Sequence, residues 1–156
     1  MTTHNSTTFI IQNETQLAAF ASNCSQMIPG GTIIGLTGDL ASGKTTFTRH
    51  LAMAYNTTDW INSPTYSIVQ HYTTSTLQII HIDLYRCNND HEIQQLDIPS
   101  MLSNTTLMVI EWINKTKLIT PDITIDFSSG KGPSSRTLAI TTSHKDWVKR
   151  LSQLSA

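Results

Sequence analysis

Apolar positions along the chain follow two periods, and their order lays out the elements. Thr8–Gln12 is a short strand-like run, after which Asn13 offers a helix N-cap with Gln16 three residues on as its capping-box partner. Leu17, Phe20, Ala21, Cys24, Met27 and Ile28 then recur at helical spacing and give that helix one apolar face, before Pro29-Gly30-Gly31 stops it. Thr32–Leu36 reads as a buried strand running into a glycine-containing loop. Lys44–Ala54 returns to the helical period, with Phe47, Leu51 and Ala54 on one side.

Beyond the loop Asn62–Thr65, the runs Tyr66–Tyr72 and Leu77–Asp83 predict a hairpin across Thr73–Thr76. Asn88–Leu96 is polar with weak helical character, and Ile98–Leu102 fits one further turn. Leu107–Glu111 is unbroken apolar sequence ending in a carboxylate, the pattern of a central strand buried on both faces. Thr124–Phe127 and Thr137–Thr141 predict a late hairpin, and His144–Leu154 a closing helix. Helices alternating with apolar strands, then hairpins, predict an α/β fold of three layers: a mostly parallel central sheet with antiparallel hairpin additions.

Composition narrows this picture only a little. With 156 residues, residues 1–156 are expected to form a single domain, and 38% hydrophobic against 13% charged residues is not the make-up of a disordered chain. The net charge is −1 and no basic stripe appears, so direct grip on nucleic acid is not expected; Lys145, Lys149 and Arg150 read as a solvated helix face. Cys24 and Cys87 lack metal-ligand spacing and cannot make a disulfide framework. With no signal-peptide pattern and no membrane-length apolar run, a cytoplasmic location is expected.

The chemistry enters at Gly38-Asp39-Leu40-Ala41-Ser42-Gly43-Lys44-Thr45, a full G-x-x-x-x-G-K-[ST] phosphate loop between a strand and a helix. Glycines let successive backbone N–H groups converge on phosphate oxygens, and the following helix adds its positive N-terminus. Lys44 reaches the β- and γ-phosphates and the Thr45 hydroxyl suits Mg²⁺. Nucleotide-bound Mg²⁺ also takes one or two carboxylates. Asp83 and Glu111, each at the end of an apolar strand, are the candidates. One would hold the metal and the other orient the attacking water, and spacing leaves their assignment open.

Taken with Ser63-Pro64-Thr65-Tyr66, His81-x-Asp83-Leu84-Tyr85-Arg86 and Ile110-Glu111-Trp112, the phosphate loop and its Thr46-Phe47 extension resemble the TsaE (YjeE) family, small bacterial ATPases of tRNA threonylcarbamoyladenosine biosynthesis. The resemblance spans about Thr15 to Arg136. It implies ATP and Mg²⁺ as cofactors, Thr45 and Glu111 as metal ligands, and Asp83 with Lys44 in catalysis. It further implies Ser63-Pro64-Thr65 as a switch-like loop, Trp112 flanking the nucleotide, and Thr15 and Arg136 near the nucleoside. The implied partners are the TsaD and TsaB proteins, with tRNA reached only through them.

Ala41 departs from a usual glycine; alanine is acceptable where φ stays negative, so ATP binding is expected to survive. Ile113 and Cys87 replace a common proline and leucine. Of the other residues, His81 reads as a packed or hydrogen-bonded strand histidine, Tyr66, Tyr72 and Tyr85 as core side chains of β-runs, Arg86 as the partner of a nearby acid, and Met53 and Met101 as core fillers. Two other functions fit a short P-loop domain: a small-molecule kinase, or a nucleotide-gated scaffold that hardly hydrolyses. The kinase is disfavoured because 88–104 carries no Lys or Arg for a phosphate lid. A GTPase is disfavoured because Asn114-Lys115-Thr116-Lys117 lacks the aspartate of N-K-x-D.

Overall fold

A computed structural model describes residues 5–60, 66–142 and 144–154. Seven strands form one sheet: β1 (Asn5–Ile11), β2 (Thr32–Gly38), β3 (Val69–Thr73), β4 (Gln78–Asp83), β5 (Thr106–Glu111), β6 (Ile123–Ser129) and β7 (Arg136–Thr142). Their order across the sheet is β1-β7-β6-β2-β5-β4-β3. The central four, β6-β2-β5-β4, are parallel, while β1, β7 and β3 add antiparallel flanks. Three of the six pairings are therefore parallel, and the sheet is more evenly mixed than the sequence pattern suggests. The two hairpins, β3–β4 and β6–β7, supply two of the antiparallel pairings. The third brings the N-terminal strand back onto β7.

Strand alternation sorts the core onto two faces. Ile34 and Leu36 of β2, Ile79 of β4, and Leu107 and Val109 of β5 pack with helices α1 (Glu14–Met27) and α2 (Lys44–Ala54). Ile80, Ile82, Met108 and Ile110 point the other way, toward α3 (Asp90–Gln95), α4 (Ile98–Met101) and Ile113 of a 3-10 turn at Ile113–Lys115. A last helix, α5 (Lys145–Leu151), joins the first face through Leu151. These are the three layers that the apolar runs predict.

α1 begins where its caps dictate. The Asn13 side chain accepts from the Gln16 N–H at 3.0 Å, and Gln16 reaches back one residue further than the usual box, accepting from the Gln12 N–H at 2.7 Å. α2 is held from behind by a chain of rings. Phe20 of α1 lies 6.0 Å from Phe47 of α2, and Phe47 lies 5.9 Å from Phe127 of β6. Each such pair is worth about 0.5–1.5 kcal/mol beyond its buried area, so the helix that starts at Lys44 is clamped to the sheet.

Four surface readings of the sequence do not hold. β3 starts at Val69 because Ile68 turns to φ +64°, and Tyr66 is left 85% exposed rather than packed. Tyr85 is also exposed, just past the end of β4, whereas Tyr72 and His81 are buried as expected. Met53 falls on the solvent side of α2. Arg86 lies over the Tyr66 ring, 4.3 Å from its centroid, so an aromatic face takes the place of the expected acid.

Candidate functional site

The C-terminal ends of β2, β4 and β5 meet at one edge of the parallel sheet, the position where open α/β sheets gather their ligands. β2 runs out at Gly38 and α2 starts at Lys44, so residues 38–44 make the turn between them. Gly38 has φ +130°, and a Cβ there would stand 2.4 Å from the Phe127 carbonyl oxygen; no other residue type fits. Gly43 has φ +111° at the helix N-cap.

Ala41 corrects an expectation. Its φ is +60°, so it occupies the left-handed region without being glycine. That conformation costs an L residue about 1–2 kcal/mol, and the negative φ on which its harmlessness rested is absent.

The loop folds around Lys44, which is only 4% exposed. Its Nζ donates to the carbonyl oxygens of Gly38 (2.8 Å) and Asp39 (2.7 Å) and lies 3.3 Å from Ser42 Oγ. The same ammonium sits 4.3 Å from the centroid of the Trp112 ring. Burial lowers the Lys44 pKa from its ordinary value of 10.5, while Glu111, Asp83, Asp39 and Asp126 oppose that shift. The charge is thus partly desolvated and aimed along the loop.

The two strand-end carboxylates are lateral neighbours, since Asp83 pairs with Glu111 in the β4–β5 register. Both are 3% exposed. Glu111 Oε1 accepts from Thr45 Oγ1 at 2.8 Å and from the ring nitrogen His81 Nε2, also at 2.8 Å. Asp83 Oδ1 accepts the backbone N–H of Tyr85 at 2.9 Å, which orients its carboxyl group just beyond the strand. Trp112 follows Glu111 at φ +59°, and its ring lies tilted against Tyr85 with centroids 5.1 Å apart.

Two clefts open on either side of Ala41. The smaller, about 150 Å³, is lined by Leu40, Lys44, Thr45, Asp83, Glu111 and Trp112. The larger, about 310 Å³, runs between α1 and the β6–β7 turn past Asn13, Glu14, Ser42, Thr46, Ser134 and Arg136. The fold therefore brings together Gly38 to Thr46, Asp83, Glu111, Trp112 and Arg136. Arg136 is tied down: its Nε donates to the Ser42 carbonyl at 3.0 Å and its Nη1 to those of Ser135 (2.8 Å) and Pro133 (3.2 Å). Thr15 is on the exposed side of α1, and its neighbours Asn13, Glu14 and Leu17 line the cleft instead. Ser63, Pro64 and Thr65 lie outside the described residues.

For the larger cleft's α1 wall, the sequence reading offered only Thr15, through the resemblance. Asn13 was legible as a cap, but nothing in the pattern marks it as a cleft residue. A family model described as threonylcarbamoyl adenosine biosynthesis protein TsaE matches residues 11–138. The chain belongs to the TsaE family. Among its relatives, the tRNA threonylcarbamoyladenosine biosynthesis protein TsaE of Rickettsia felis is 37% identical over 118 residues, 73% of this chain and 67% of that one. The protein of the same name from Rickettsia conorii is 33% identical over 140 residues, covering 87% and 78%. The crystal structure of Bacillus subtilis YdiB superposes with a TM-score of 0.77 at 21% identity, covering 97% of this chain and 95% of that one. That likeness is one of fold. The TsaE match takes in both clefts and every strand end that lines them.

Proposed function

We propose that this chain binds ATP with Mg²⁺ and hydrolyses it, serving threonylcarbamoyladenosine modification of tRNA through the protein subunits TsaD and TsaB. The carrying observation is the 2.8 Å contact of Thr45 Oγ1 with Glu111 Oε1 beside the buried Lys44 ammonium. A hydroxyl and a carboxylate, both hard oxygen donors, fit Mg²⁺, which takes few protein ligands and keeps its waters and phosphates. Thr45 and Glu111 would hold it. An ion held there would supply charge neutralisation at the phosphates.

The chain's own residues do the rest. Backbone N–H groups of residues 38–45 and the positive end of α2 receive the phosphates. Lys44 exchanges the Gly38 and Asp39 carbonyls for phosphate oxygens, a trade that restores full charge pairing to a buried cation. Asp83, the lateral neighbour of Glu111 in the β4–β5 pairing, accepts a hydrogen bond from the attacking water and aligns it. Trp112 covers the phosphate side. Thr46 and Arg136 face the nucleoside side, while Thr15 is on the exposed side of α1, outside that lining.

A net charge of −1 supports an indirect role on RNA, because nucleic-acid affinity arises chiefly from Lys and Arg displacing counterions. The reading is tested by titrating ATP and Mg²⁺ against Glu111→Ala and Asp83→Asn and following phosphate release. Glu111→Ala is expected to weaken Mg²⁺-dependent binding. Asp83→Asn, nearly isosteric, is expected to lower turnover with little change in affinity. The reverse pattern would mean the two roles are exchanged, and two inert substitutions would dismiss the site.

A further inference from the structure

His81 lies two residues before Asp83 on β4, so the two side chains share the sheet face that α2 covers. The imidazole is fully buried, and its Nε2 stands 2.8 Å from Glu111 Oε1. A carboxylate oxygen that also receives the Thr45 hydroxyl is an acceptor for both groups, so Nε2 carries the hydrogen. Neither bond uses Oε2. On its far side the ring packs against Tyr72 of β3, with centroids 6.1 Å apart and Tyr72 Oη 3.5 Å from Nδ1. Tyr72 in turn donates to Gln70 Oε1 at 2.8 Å.

Three elements thereby converge on one carboxylate. β4 supplies the imidazole that orients it, β3 supplies the wall that holds the imidazole, and α2 supplies the hydroxyl beside it. A glutamate has three side-chain torsions, and without a fixed partner its head would sample several positions. Two hydrogen bonds on one oxygen remove that freedom. A position needed purely for packing would be filled at lower cost by an apolar residue, since a buried imidazole must find a partner for its N–H.

We propose that His81 is a positioning residue: by donating to Glu111 it holds the carboxylate beside Thr45 in the arrangement that takes Mg²⁺ with the nucleotide. This rests on the ATP–Mg²⁺ reading above. Groups that orient a metal-binding side chain typically change metal affinity 10–100-fold when removed.

The test measures binding rather than turnover. Mg²⁺ is titrated into the full chain with a fluorescent ATP analogue, and the analogue's affinity is measured separately in EDTA. In His81→Leu the Mg²⁺ midpoint is expected to rise about 10–100-fold, with the EDTA affinity within about twofold of the parent. His81→Gln, whose amide can donate at similar reach, is expected to recover most of the loss. If His81→Leu does not fold, two readouts remain: the His81→Gln midpoint, and the His81 ring-nitrogen resonance of the parent protein. That resonance is expected to shift when Mg²⁺ joins the bound nucleotide and to stay still with nucleotide in EDTA. An unmoved midpoint in folded His81→Leu, equal losses with and without metal, or a silent resonance would overturn the proposal. A parent chain that binds no nucleotide would instead overturn the ATP–Mg²⁺ reading itself.

Discussion

At the scale of single residues the phosphate loop carries a local conflict. Ala41 holds φ +60° between the two clefts, where a Cβ is penalised and glycine is not. Ala41→Gly relieves that strain but frees the unfolded chain by about 0.4–1 kcal/mol. The net expectation is a gain of about 0.5–1 kcal/mol, read as a rise in melting temperature of about 2 °C for a domain of this size. A lower melting temperature in the glycine variant would show that the loop is unstrained. Residue chemistry was the most legible part of the sequence, because a phosphate loop demands particular residue types at fixed spacing. What could not be read was backbone sign at one position: the identity of Ala41 does not disclose its φ. Nor could the hydrogen bond of His81 to Glu111 be foreseen, since those residues are thirty positions apart and meet only through the β4–β5 register.

At the scale of elements, the sequence pattern located the strands and α-helices of the described residues, and errors fell at ends and on surfaces. β3 lost its first residues to the turn at Ile68, and Met53 reached solvent, because an isolated apolar residue does not say which side of its helix is covered. The 3-10 turn at Ile113–Lys115 carries no pattern of its own; it exists because Ile113 packs on Gly35, where a Cβ would come within 2.7 Å of it. Packing of the elements also sets a pH response. Burial of Cys24 between α1 and the sheet pushes its thiol from 9.0 up to about 12. Burial likewise raises Tyr55, at the end of α2, and Tyr72, on β3, from 10.0 to about 12. Each folded-state value lies above the unfolded one, so the unfolded chain releases its proton first. The stability these groups contribute is complete below about pH 9 and is lost as pH climbs toward 12, at about 1.4 kcal/mol per pH unit for each proton. Urea unfolding midpoints are expected to fall between pH 8.5 and 10.5; midpoints independent of pH over that range would mean these groups are not buried as described.

At the scale of the whole molecule, a half-parallel sheet does one thing for the site: it ends β2, β4 and β5 at a common edge and places the start of α2 above them. Among the described residues no helix is long and apolar enough to cross a membrane. Lys44, Thr45, Asp83 and Glu111 are scattered over 68 sequence positions yet line one cleft of about 150 Å³. If the cleft serves ATP as proposed, the isolated chain binds free tRNA weakly at physiological salt, and filter binding with nanomolar affinity would contradict the indirect role. The most direct measurement of the central claim is calorimetric titration of ATP with Mg²⁺ into the parent chain and into Lys44→Ala. A charge-assisted phosphate contact is worth about 1.5–3 kcal/mol, so the variant is predicted to bind one to two decades more weakly while unfolding at a similar temperature. Equal affinity in the two proteins would contradict the assignment of this loop to the nucleotide phosphates.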